Sequence, residues 1–151
     1  MNAYSPRFFR AATLLAINLL YLMIWGFAGI SKVIDGMPPW FGDKFGATIL
    51  GKTLGLAATF WILTVYELLA LTLAGVALLR FEFARRCPPH FLITTLVWSL
   101  FVFLQLGFGQ WLTGEFNGAF QQFMYGSGTL VALLIACPEM VGLKSQTDLK
   151  N

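Results

Sequence analysis

The sequence predicts an all-α membrane protein: a single domain, residues 1–151, built as a four-helix transmembrane bundle with an interfacial helix on the outer side in its first loop. Three observations predict it. Of 151 residues, 58% are hydrophobic and 11% charged, against about 45–50% apolar and about 25% charged in an ordinary soluble domain. The mean hydropathy of +0.73 is spread over most of the length. Four apolar runs each approach the roughly 20 residues that a helix needs to cross about 30 Å of hydrocarbon. Fifteen Phe and five Trp exclude a disordered chain except at the ends.

The first span, about 11–31, follows Arg7 and Arg10. Its apolar run exceeds the signal-peptide core of about 7 to 15 residues, so it reads as a retained helix. Asp35, Gly36, Pro38 and Pro39 stop it. Phe41, Phe45 and Ile49 then recur every four residues beside Trp40, with Asp43, Lys44 and Lys52 on other sides, the pattern of a short helix at a membrane surface. Further spans are expected at about 56–79, 91–111 and 123–143.

Basic residues orient the bundle. One side holds Arg7, Arg10, Arg80, Arg85, Arg86, Lys144 and Lys150, and the other Lys32, Lys44 and Lys52. The richer side is cytoplasmic, which places both termini there. These clusters lie between apolar runs, so they mark topology and anionic headgroups, not nucleic acid.

Several chemistries lack their apparatus. Cys87 and Cys137 form no Cys-x-x-Cys pair, and His90 is the one histidine, so neither a bis-histidine haem nor a zinc site is encoded. No Gly-x-Ser-x-Gly, phosphate-binding loop or dinucleotide fingerprint occurs. Glycine pairs at Gly42/Gly46, Gly51/Gly55 and Gly114/Gly118 fall where turns and caps are expected. Gly75, Gly126 and Gly128 are the candidates for close helix contact.

Glu67 is the informative residue. It sits at the middle of the second span, where an acidic side chain costs about 2.5–3.5 kcal/mol even on lenient scales, so it should face the bundle and find a partner or stay protonated. Aligning spans by their midpoints puts Tyr21 level with Glu67, Trp25 and Trp61 outward of it, and Gln105 and Thr129 about one turn outward. On that alignment Lys32 is roughly 16 Å above Tyr21 and must reach inward, so a water or ligand bridge to Glu67 stands beside a direct ion pair. Asn18, on the inner side of this level, reads as a helix-packing amide.

Gly26-Phe27-Ala28-Gly29-Ile30-Ser31-Lys32, the Pro38-Pro39-Trp40-Phe41 loop, and Tyr66-Glu67-Leu68-Leu69-Ala70 leading to Gly75 together resemble the DoxX-like membrane proteins. Those are small bacterial four-helix proteins with Gly-x-x-Lys ending helix one and a Glu inside helix two. The similarity covers about the first 80 residues; the family's Gly-rich closing segment is replaced by Cys137-Pro138-Glu139. The resemblance implies a membrane component of a redox system and carries over to Gly29, Lys32 and Glu67. Independently, a carboxyl, an amide and aromatics suit a quinone-sized site. Glu67 and Lys32 are then the candidate catalytic residues, and Tyr21, Trp25 and Gln105 the candidate quinone-binding ones.

No intrinsic cofactor is expected, so at most the chain is a membrane subunit of a quinone-linked oxidoreductase whose partner protein holds the redox centre. Two other readings stand beside it: a non-catalytic accessory or assembly subunit of a larger membrane complex, and a small proton-linked transporter titrating at Glu67. The transporter reading ranks last because no internal repeat or discontinuous helix pair is visible.

Overall fold

A computed structural model describes residues 6–85 and 87–138. Six helices run in order: α1 Pro6–Asp35, α2 Pro39–Phe45, α3 Ile49–Thr53, α4 Leu56–Leu79, α5 His90–Leu112 and α6 Phe116–Ala136, with a 3-10 turn at Glu82–Ala84. No strand occurs among the described residues. The four long helices α1, α4, α5 and α6 are each long and apolar enough to cross a membrane. The chain is a multi-pass membrane protein.

The helix ends follow local chemistry. Gly36, at φ +70, closes α1 with its N–H donated to the Lys32 carbonyl at 3.0 Å, a left-handed turn in which a Cβ would be strained. After Pro88 and Pro89, α5 starts with free N–H groups at Phe91 and Leu92; both donate to the Glu82 carboxylate, at 3.1 and 3.0 Å. Removing that cap by Glu82→Ala is expected to cost about 1–2 kcal/mol, read as a lower midpoint in thermal unfolding of the detergent-solubilised protein.

Three of the four predicted spans match in place, and the fourth is displaced. It was expected over 123–143; α6 runs Phe116–Ala136. The polar residues Asn117, Gln121 and Gln122 hide its first turns from hydropathy, yet they sit within a helix entered through the tight turn at Gly114, φ +74. Residues 139–143 of the expected span lie outside the described residues, as do Arg86, Lys144 and Lys150 of the charge count.

The first loop forms two short helices in place of the single one expected. Gly46 and Gly51 bring the backbone so close that a Cβ on Gly51 would collide with the Phe45 carbonyl oxygen. Thr48 then opens α3, its hydroxyl accepting from the Gly51 N–H at 3.4 Å. The break lets α2 turn inward: Phe41 is buried against the Phe60 ring, centroids 5.3 Å apart, while Trp40 and Ile49 stay exposed.

Close helix contact is made at other glycines than expected. A Cβ added at Gly75, Gly126 or Gly128 would meet nothing within 4 Å. On α4 the buried stripe is Phe60, Thr64, Glu67, Ala70, Ala74 and Ala77. Gly75 falls off that stripe, and Gly126 borders an open groove between α5 and α6. Gly29 does the work instead, its Cβ position 3.0 Å from Leu68 Cδ2 and 3.5 Å from the Leu68 N. Gly29→Leu is expected to cost about 1–3 kcal/mol through overpacking, whereas Gly75→Leu should change stability by less than about 0.5 kcal/mol; thermal unfolding of both variants checks the pair.

Candidate functional site

The contact between α1 and α4 fixes the relative depth of the polar groups on these two helices. Gly29 lies against Leu68 and Gly26 against Leu71, in antiparallel register. Continuing that register puts Lys32 opposite Val65, about 3 Å along the axis from Glu67. Tyr21 falls opposite Val76, about 13 Å from Glu67 toward the Leu79 end of α4, so the alignment by span midpoints is corrected. Its error was to centre α1, whose Pro6 end runs on past the end of α4, where Arg10 donates to the Arg85 carbonyl at 3.2 Å.

With this register the direct ion pair forms. Lys32 Nζ donates to both Glu67 oxygens, at 2.7 and 2.6 Å. Glu67 is 1% exposed, and the Lys32 side chain 24%. The third ammonium proton has only a long contact, 3.4 Å to the Ala28 carbonyl. The carboxylate is therefore covered by its partner, and the ammonium is the face that the pair presents.

That face lines a cavity of about 440 Å³. The register also explains the cavity: α1 stops at Asp35, opposite Ile62, so the first residues of α4 project beyond it and α2 folds across the step. Phe41, Phe45 and Phe60 form aromatic walls, joined by Trp40 and Leu106, with Lys32 and Gln105 within and Ser31 and Asp35 also on the lining. Phe45 reaches over α5 because Gly109 has no side chain; its ring lies 3.5 Å from that Cβ position. The buried Gln105 Oε1 accepts no hydrogen bond among the described residues.

Of the five residues singled out in the sequence, Lys32 and Gln105 line this cavity and Glu67 stands directly behind Lys32. Tyr21 and Trp25 do not line it. Tyr21 Oη donates to Thr129 Oγ1 at 2.6 Å, and Trp25 Nε1 donates to Ser99 Oγ at 2.9 Å, both in the buried core. They tie α1 to α6 and α5, and their polar atoms are already used. Asn18 keeps the packing role expected of it: in the orientation that satisfies both ends, its amide donates to the Ala74 carbonyl and accepts from the Leu78 N–H, each at 3.1 Å.

Lys44 and Gln110 also line the cavity and were not singled out in the sequence. Lys44 on α2 donates to Gln110 Oε1 at 2.9 Å, with Glu115 3.8 Å away. A lysine in that loop reads as the solvated side of a surface helix, but α2 packs Phe41 against Phe60 and brings Lys44 onto the cavity lining. Cys87 and Cys137 are unpaired, and no group of three or more His, Cys, Asp or Glu gathers among the described residues.

Comparison with known protein families, curated proteins and solved structures gives no match for this chain.

Proposed function

We propose that this chain is a DoxX-like membrane component of a redox system that binds quinone in the cavity under α2. The observation that carries the reading is one cavity with an ammonium donor at Lys32, an unsatisfied amide oxygen at Gln105 and aromatic walls from Phe41, Phe45 and Phe60. A quinone carbonyl accepts from the spare Lys32 proton, and a quinol hydroxyl donates to Gln105, so both redox forms find a complement. Flat aromatic walls suit the ring. Lys32 and Glu67, two of the three positions that match the family pattern, form one unit, which supports the resemblance.

The electrons of quinone reduction, or their acceptor in quinol oxidation, belong to a partner protein, because the sequence holds no cofactor motif. The resemblance implies a bacterial inner membrane, and the basic residues put the termini in the cytoplasm and α2 on the outer face.

The test is direct binding of decylubiquinone to the detergent-solubilised protein, followed by quenching of Trp40 at the cavity wall in a variant whose other tryptophans are phenylalanine. Lys32→Met is expected to weaken binding by about ten- to a hundredfold, the worth of a charge-assisted hydrogen bond. Unchanged affinity in Lys32→Met, or no saturable binding to the parent protein, overturns the proposal. In membranes that hold the partner, unchanged quinone-dependent turnover with Glu67→Gln also counts against it.

A further inference from the structure

The cavity has a second cationic end. Lys44 lines the same space as Lys32 but enters from α2, and it is fixed by Gln110, five residues outward of Gln105 on the same wall. That spacing is about 7.5 Å along α5. Phe45, Phe60 and Leu106 give the same space apolar walls, and Ser31, Asp35 and Thr59 are its other polar lining.

Neither cation is saturated. Lys44 uses one ammonium proton on Gln110 at 2.9 Å, and its contact with the exposed Glu115 is 3.8 Å, too long for a hydrogen bond. At the inner end, Lys32 commits two protons to Glu67 and leaves the third on the long contact to Ala28. Each end therefore offers at least one donor, and a ligand that spans the cavity is gripped at both.

We infer that Lys44 is a second binding residue and that the site selects rings carrying acceptors at opposite ends, the para-quinone class, over rings with one carbonyl. This rests on the quinone reading and adds to it a residue, an orientation and a substrate preference. One ring oxygen meets Lys32, and the other meets Lys44 beside Gln110. The ring axis then runs along the bundle, with its faces against Phe45 and Phe60. Because Lys44 sits on a short helix flanked by turns at Gly36 and Gly46, ligand binding also holds α2 over the bundle end.

The experiment pairs two ligands with two proteins. Menadione carries para carbonyls on a fused ring, and 1-tetralone carries one carbonyl on a matching skeleton. The parent protein is expected to bind menadione about ten- to a hundredfold tighter. Lys44→Met should remove most of that preference by weakening menadione alone. Lys44→Gln, which keeps a neutral donor beside Gln110, should restore part of it, and serves also if Lys44→Met fails to fold. Equal loss of both ligands means that Lys44 only positions α2, and unchanged affinity for both means that it touches neither; each result overturns the inference while leaving the quinone reading intact. If the parent binds neither ligand, the quinone reading itself falls.

Discussion

Glu67→Leu is expected to destabilise the bundle by about 3–5 kcal/mol, because it removes one half of a buried ion pair and leaves the Lys32 ammonium without its partner. Lys32→Met should be at least as costly, since it strands a carboxylate that is 1% exposed at mid-bundle with no other partner shown for it. The two effects should not add. Lys32→Met combined with Glu67→Leu replaces both charges with apolar groups of similar size, and desolvation of the pair disappears together with its attraction. The double variant is therefore expected within about 1–2 kcal/mol of the parent, a coupling of several kcal/mol in a double-mutant cycle. Reversible unfolding in mixed micelles measures it. A double variant as unstable as the sum of the singles would show that the two side chains act independently, contrary to the 2.6 Å contact.

The same cycle separates stability from function. The double variant should fold and yet bind decylubiquinone no better than Lys32→Met, because the donor on the cavity wall is missing in both. A natural membrane bundle gains little stability from such a pair over an apolar core. Retaining a carboxylate there, at a depth where an acidic side chain costs about 2.5–3.5 kcal/mol, fits use of its partner's proton better than use as a fastener.

Most of the fold was legible because hydrophobic thickness imposes lengths that any sequence must meet. The first three spans and the importance of Glu67 follow from that rule alone. What was not legible is register. The depth of Tyr21 relative to Glu67 depends on which residues of α1 meet α4, and that is decided by Gly26 and Gly29 receiving Leu71 and Leu68. Both glycines lie in the stretch that carries the family resemblance, but hydropathy gives them no weight. The displaced start of α6 has the same origin: Gln121 and Gln122 count against a span in hydropathy, while Gln122 packs beside Gly107, 3.3 Å from its Cβ position. Gln105 could be read as a site residue because an amide in a span asks for a partner. Lys44 could not, since a lysine in a loop ordinarily faces water and only the packing of Phe41 on Phe60 brings α2 across the bundle.

Trp25 provides the second large effect and distinguishes core from cavity. Its ring is 1% exposed, lies 4.9 Å from the Phe103 centroid at 34°, and donates to Ser99, whose own hydroxyl donates to the Thr95 carbonyl at 2.7 Å. Trp25→Ala is expected to cost about 3–5 kcal/mol, through lost contacts and the cavity left between α1 and α5. Trp25→Phe keeps most of the volume and loses the indole N–H; Ser99 retains its bond to Thr95, so no donor is stranded and about 1–2 kcal/mol should be lost. Folded Trp25→Phe should bind decylubiquinone with unchanged affinity, because Trp25 is not part of the cavity lining. A loss of binding as large as that of Lys32→Met, at nearly full stability, would move the ligand inward from the α2 end to the core. The chain would then hold its quinone between α1 and α5, and the space beneath α2 would be a vestibule.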